Sequence, residues 1–334
     1  MHTQETNESF YDKAKDFFSI YVDPILISLG ILFVLLVAYL NFSSEAFLST
    51  RNLTNILNNM VVMGFLALGQ SLVILTKNLD LSVGSILGLT AVFLATIFNL
   101  NVPVILMVPL ALLFGAFLGF LNGFIVTKIG INAIITTLGS MSIFRGLAYL
   151  IGEGNPTRIN HSGYGQLGRY LLAGFVPLSI VLLVLFLLFF YIILKYTQFG
   201  RNLFTVGSNI EGSHYIGIGV GSYQLYSFVI CGLMAAAGAV ITTSQLGAGL
   251  PDMGTGIELE VITATILGGV SLKGGKCNLF GVILAVALLA VISNGLVLLG
   301  IPIHWRRVVR GVLLIIAVTI DVIYKRNRKY NFNF

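Results

Sequence analysis

Apolar residues run through this chain in long unbroken stretches, interrupted by short polar or Gly/Pro clusters. A helix needs about 20 apolar residues to cross a hydrocarbon core, with a range of roughly 17–25. Breaks placed at the clusters predict ten segments: 24–41, 55–76, 82–100, 103–127, 132–151, 173–194, 223–243, 258–271, 278–299 and 308–324. The eighth is short for a full span and reads as a half-helix buried against protein, where irregular backbone is allowed. The weak period-2 alternation of the runs and seven prolines argue against a β-barrel.

Composition supports this reading. The 334 residues are 57% hydrophobic and 10% charged, with mean hydropathy +0.95, against about 25% charged and 45–50% apolar in a soluble domain. So few charges cannot cover so much apolar surface, which excludes a soluble enzyme, a disordered chain and a disulfide scaffold. The 37 glycines suit close helix packing in lipid. The expected fold is an all-α polytopic membrane protein. Cys231 and Cys277 show no CxxC or Cys/His spacing and read as packing residues. The first apolar run lacks a small-residue cleavage site, so no cleavable signal peptide is expected.

The net charge of +6 means less than its placement. With the N-terminus in the cytoplasm, alternation puts Lys13, Lys15, Lys77, Lys128, Lys195, Arg201, Lys273, Lys276, Lys325, Arg326, Arg328 and Lys329 inside. Arg51, Arg158, Arg169, Arg306, Arg307 and Arg310 fall outside, and Arg145 lies within a span. Every lysine is then cytoplasmic, as the positive-inside rule requires. The expected organisation is a cytoplasmic segment 1–23, a membrane domain 24–325 and a cytoplasmic tail 326–334, with both termini inside. The long inside stretch 195–222 mixes Asn202, Asn209 and Glu211 with Ile210, Tyr215 and Ile216, a candidate docking surface for a cytoplasmic partner.

The halves 24–151 and 173–324 resemble each other. Leu113-Phe114-Gly115 recurs as Leu279-Phe280-Gly281, and Asn122-Gly123 before Gly130-Ile131 recurs as Asn294-Gly295 before Gly300-Ile301. Asp80-Leu81 leading into Ser85-Ile86-Leu87-Gly88 parallels Glu258-Leu259 leading into Thr265-Ile266-Leu267-Gly268. The shared order, rather than any one triplet, carries the repeat. An offset of five spans inverts the second half, giving two inverted five-helix repeats of the kind transporters rock about a central site.

No nucleophile elbow, P-loop, dinucleotide fingerprint or zinc spacing occurs, and the histidines are scattered over loops. Neither catalytic nor metal-binding residues are expected. Gly268 to Lys276 lacks P-loop spacing and reads as a tight inside turn. Asp80, followed by Ser82, Gly84 and Ser85, sits at the inside mouth of the third span; Glu258 and Glu260 sit at the outside mouth of the eighth. Each carboxylate either caps a helix N-terminus or lines a pathway or gate. Arg145 either pairs with one of them or snorkels to the outer interface, the nearer alternative by position. Trp305 with Arg306, Arg307 and Arg310 reads as an interfacial anchor. Asn58, Asn59, Gln70, Ser71, Asn122, Thr136, Thr137, Ser140, Ser142, Ser293 and Asn294 lie in apolar spans; each is interhelical glue by default, and together they suit a path for a neutral polar solute.

Three ordered motifs within about residues 50–325 resemble ribose-type ABC transporter permeases. Leu75-Thr76-Lys77-Asn78-Leu79-Asp80-Leu81-Ser82-Val83-Gly84-Ser85 is similar to the GGIDLSVGS-type signature. Gly254-Thr255-Gly256-Ile257-Glu258-Leu259-Glu260, followed by Ile266 to Lys276, resembles GTGYELDAIA…LGGTSLxGGKG. Phe199-Gly200-Arg201, Val206-Gly207-Ser208-Asn209 and Gly217-Ile218 resemble the cytoplasmic GR…GxN…GI loop. The resemblance implies the permease subunit of a bacterial inner-membrane importer for a monosaccharide such as ribose. A second permease subunit, identical or not, a cytoplasmic ABC ATPase that binds the ATP, and a periplasmic sugar-binding protein would be its partners, with lipid around it and no nucleic acid. It also implies that Arg201, Gly207, Asn209, Glu211, Gly212 and Gly217 belong to the loop that docks on the ATPase. The path or gate candidates are Asp80, Ser82, Asn122, Glu258, Glu260 and Asn294. Lys77-Asn78 replaces the usual Gly-Gly or Ser-Gly and resembles the autoinducer-2 branch; Glu211-Gly212-Ser213 replaces an Ala-rich run and Cys277 a Gly. The alternatives are an autoinducer-2 importer of the same family, a self-sufficient secondary transporter, for which mid-span carboxylates are nearly absent, and a structural scaffold, which the repeat disfavours.

Overall fold

A computed structural model describes residues 24–319 apart from 101, 160, 161, 303, 306, 307 and 310. Its helices are α1 (Pro24–Ser43), α2 (Thr50–Leu75), α3 (Val83–Asn99), α4 (Val104–Phe124, continued by a π-helical turn Ile125–Ile129), α5 (Ala133–Ile151), α6 (Ser162–Arg169), α7 (Leu178–Tyr196), α8 (Gln198–Ser208), α9 (Ile210–Tyr215), α10 (Val220–Leu246), α11 (Ile257–Leu267) and α12 (Leu279–Leu298). Residues 311–319 are also helical. Among the described residues, seven helices (α1, α2, α4, α5, α7, α10 and α12) are long and apolar enough to cross a membrane. The chain is a polytopic, all-α membrane protein.

Two predicted segments are short: α3 has 17 residues, the lower end of the span range, and α11 has 11. The end of the tenth predicted segment lies outside the described residues, as do 1–23, 326–334 and Arg306, Arg307 and Arg310 beside the exposed Trp305. Polar side chains start helices where the apolar pattern breaks. Ser49 Oγ accepts the Asn52 N–H (3.3 Å), Asn132 Oδ1 that of Ile134 (2.9 Å), and Asn278 Oδ1 that of Gly281 (3.1 Å), each satisfying an orphan donor of the first turn.

The two longest helices, α2 and α10, form the buried centre. α4 crosses α10 where Gly115 and Gly119 meet Gly232. A Cβ on Gly115 would lie 2.5 Å from the Gly232 carbonyl oxygen, and one on Gly232 would run into the Gly115 carbonyl, so only glycine on both sides lets the backbones touch. The outer faces of α4 and α7 expose Leu113, Phe117, Leu185 and Phe189, as lipid-facing surfaces do. Leu113-Phe114-Gly115 lies midway along α4, whereas Leu279-Phe280-Gly281 opens α12. These two triplets therefore stand at different places in their helices.

One end of the bundle carries α8, α9 and the turn between α11 and α12. Lys77, Lys128, Lys195, Lys273 and Lys276 cluster at this end, and Arg158 and Arg169 at the other. There, β1 (Thr157–Arg158) pairs with β4 (Ala248–Gly249), β2 (Leu171–Leu172) pairs with β3 (Val176–Pro177), and α6 caps α10. Tyr164 forms a 2.6 Å hydrogen bond with Thr243 Oγ1, and the Gly168 N–H donates to Ser244 Oγ (2.7 Å). Burial pushes the Tyr164 hydroxyl up to about 12, so it remains a neutral partner.

Candidate functional site

Asp80 and Ser82 meet the sequence-distant Asn122 in one fully buried node where α2 hands over to α3. Asp80 Oδ1 accepts from the Ser82 N–H (2.8 Å) and the Ser82 hydroxyl (2.6 Å). Asn122 Nδ2, from α4, donates to Ser82 Oγ (2.8 Å). The carboxylate thus closes an Asx-type turn that starts α3. Gln70 of α2 faces the Asp80 main chain: turned so that its nitrogen donates to the Asp80 carbonyl, its oxygen accepts the Asp80 N–H, each at 3.2 Å. Thr137 of α5 donates to the Leu79 carbonyl at 3.4 Å. Three helices hold the lead-in to α3 through side chains.

The lead-in to α11 descends along α3. A Cβ on Gly249 would meet the Ala91 carbonyl, and one on Gly254 would lie 2.6 Å from the Gly84 carbonyl. Both half-helices therefore begin side by side. Glu258 Oε2 sits over Gly84, 2.7 Å from where its Cβ would be, placing a carboxylate against the first turn of α3 as well as in that of α11. Negative charge is favoured there by the exposed N–H groups and the helix dipole.

Arg145 does more than either alternative left by the sequence. Its Nη1 donates to the Pro251 (2.6 Å) and Met253 (2.7 Å) carbonyls, so it clamps main chain, while its charge also acts on Glu258, one of the carboxylates the sequence offered it. Gly88 makes room, since a Cβ there would lie 2.5 Å from the guanidinium.

Glu260 and Asn294, with Ser293, line a cavity of about 690 Å³ between α2, α10, α11 and α12, on the side away from α8. Asn52 and Asn294 exchange amide hydrogen bonds at 3.0 and 2.7 Å, and Gln245 donates to Asn58 Oδ1 at 3.1 Å. Asn55 and Gln245 of this wall were not singled out by the sequence. The available signal was the recurrence of Asn52, Asn55, Asn58 and Asn59 at helical spacing on α2.

The stretch predicted to lie inside folds as α8 and α9 between the end of α7 and the start of α10. Asn209 Oδ1 accepts the Gly212 N–H (2.9 Å) and caps α9, and Gly217 ends it at φ 77°. Glu211, Tyr215 and Ile216 are exposed, as is Arg201. Gly207 is buried: a Cβ there would strike the Leu75 carbonyl and come within 2.5 Å of the Gly275 nitrogen. The Gly275 N–H donates to Leu75 O (3.1 Å), and Lys77 Nζ reaches Ser208 O (3.2 Å). The end of α2 is therefore bonded main chain to main chain with the α11–α12 turn, and the end of α8 packs against both through Gly207 and the Lys77 side chain.

A family model described as branched-chain amino acid transport system / permease component matches residues 52–318. The autoinducer 2 import system permease protein LsrC of Photorhabdus luminescens is 36% identical over 284 residues, 84% of this chain and 85% of that protein. The ribose import permease protein RbsC of Escherichia coli K12 is 34% identical over 294 residues, 86% of this chain and 91% of its own length. RbsC of Bacillus subtilis 168 is 34% identical over 309 residues, covering 90% and 95%. No solved structure matches the chain. The chain belongs to this permease family, as an ABC permease of the ribose and autoinducer-2 type in the inner membrane.

Proposed function

We propose that the chain forms the translocation path of an ATP-driven importer for a neutral monosaccharide such as ribose, working by alternating access. Ten spans in two inverted five-helix repeats, with both termini cytoplasmic, are the arrangement we infer. The observation that carries it is the pair α3 and α11: the third and eighth segments are both short, and they begin side by side with a carboxylate at each start. Corresponding short segments in two halves mark a transporter's central site. Asp80, Ser82 and Asn122 form the fixed side of the gate, Glu258 its moving side, and Glu260 and Asn294 the wall of the path.

The α8–α9 segment is the docking surface for a cytoplasmic ABC ATPase, which binds and hydrolyses the ATP. Arg201, Glu211, Tyr215 and Ile216 offer the contact, Asn209, Gly212 and Gly217 shape it, and Gly207 passes motion to the α2 and α11–α12 ends. A periplasmic sugar-binding protein and a second permease subunit complete the assembly. The second reading, import of autoinducer 2, is favoured by the 36% identity to LsrC and by Lys77-Asn78 in the first motif.

The test is uptake by the reconstituted importer. Labelled ribose is expected to accumulate only with ATP and the ATPase; accumulation without either overturns the reading. Glu211→Lys with Asn209→Ala is expected to leave the chain inserted and abolish ATP-coupled uptake, and unchanged uptake removes the docking assignment.

A further inference from the structure

The outward cavity of about 690 Å³ between α2, α10, α11 and α12 falls in the size range of small-molecule sites, about 300–1,000 Å³. Its lining separates into two kinds of surface. Asn55, Asn58, Asn59, Gln245, Ser293 and Glu260 supply donors and acceptors, while Met63, Leu87, Ile257 and Leu289 supply apolar patches. An amide presents an acceptor oxygen and two donor hydrogens about one hydroxyl spacing apart, which suits vicinal diols. The apolar patches suit the C–H faces of the same molecule.

Part of this polar wall is committed and part is not. The Asn52–Asn294 and Gln245–Asn58 pairs are closed among themselves. Asn55, Asn59 and Ser293 make no side-chain hydrogen bond to the protein among the described residues, yet line the cavity. Asn55 and Asn59 are exposed and Ser293 is half-buried, so all three are open to water or to a solute that enters. The floor is formed where Gly254 and Ile257 meet the start of α11, one step from the Asp80 node.

We propose that each single permease subunit holds its own low-affinity polyol pocket in this cavity, a waiting site that receives the sugar before the half-helices move. The inference rests on the import reading above and adds to it a binding site within one chain, with Asn55, Asn59 and Ser293 as the contacts that engage the hydroxyls.

The pocket is tested with Asn59→Cys in the assembled importer in proteoliposomes, labelled with a membrane-impermeant maleimide from outside. The background is low because Cys231 is fully buried and Cys277 lies at the opposite end. Ribose and autoinducer 2 are used as probes, beside uptake assays of both. The solute the wild-type importer takes up is expected to slow labelling about fivefold at tens of millimolar, as a millimolar site does, while equal osmolarity of sodium chloride does not. Ser293→Cys repeats the measurement should Asn59→Cys fail to insert. Absence of labelling at both positions, or labelling that the transported solute does not slow, overturns the pocket and leaves the import reading standing. If neither solute is taken up by the wild type, the import reading fails and the pocket fails with it.

Discussion

The segments leading into α3 and α11 reach the same place by different chemistry. The one before α3 is held by side chains: Asp80 closes its own turn on Ser82, while Gln70, Asn122 and Thr137 reach in from three helices. The one before α11 is held mainly by its backbone, with Gly249 and Gly254 against the carbonyls of Ala91 and Gly84, and by one cation, Arg145, on two carbonyls. Side-chain networks in a dry interior are costly to leave half-satisfied. A backbone strip held by a single guanidinium has one release point. The comparison assigns the α3 side to the fixed frame and the α11 side to the part that moves.

The largest effect expected is at the fixed side. Asp80→Ala removes the acceptor of two buried hydrogen bonds and strands the Ser82 N–H and hydroxyl, costing about 3 kcal/mol. Thermal unfolding in detergent should show a clearly lowered midpoint together with lost uptake. Asp80→Asn keeps one acceptor and is expected to fall between. A midpoint for Asp80→Ala equal to wild type would remove the frame assignment.

Arg145→Met comes next, at about 2 kcal/mol for two carbonyls left without their donor. Its signature is local: hydrogen exchange should rise over 250–256 and stay unchanged over 76–82. Equal protection of both segments would mean that the two lead-ins are one unit. Gly84→Ala separates the sides further. The new Cβ meets the Gly254 carbonyl and Glu258 Oε2, an overpacking cost of about 1–2 kcal/mol, and exchange should rise on the α11 side first.

Legibility in the sequence followed chemistry. Apolar runs and lysine placement marked the helical segments, because span length and charge asymmetry are written in residue type. The short eighth segment was legible for the same reason, and α3, read as an ordinary span, turned out at 17 residues. Asp80 stands just before α3, and its bond is to the Ser82 N–H ahead of the first turn, not to an N–H of the helix itself. The partners of Arg145 were hidden because they are carbonyls, which every residue carries. The Leu-Phe-Gly match misled because a common apolar triplet fixes no depth. The Asn55–Gln245 wall was hidden because amides read as glue until a cavity gives them a surface.

The smallest effect tests how each side makes its sharp turn. Before α11 the left-handed positions are Gly254 and Gly256, at φ 73° and 82°, whereas before α3 Lys77 takes φ 66°. A side chain in that region costs about 1–2 kcal/mol, and glycine relieves it at an entropic penalty of about 0.5–1 kcal/mol. Lys77 also donates to the Ser208 carbonyl from an exposed position, a contact worth little in water. Lys77→Gly is therefore expected to stabilise the chain by about 0.5 kcal/mol, read as a small rise in the unfolding midpoint. Lys77→Ala keeps the Cβ and the strain, so it should give no rise. A rise with alanine equal to that with glycine would show that the lysine's charge, and not its backbone, is what the turn pays for, and the two lead-ins would then differ in side chains alone.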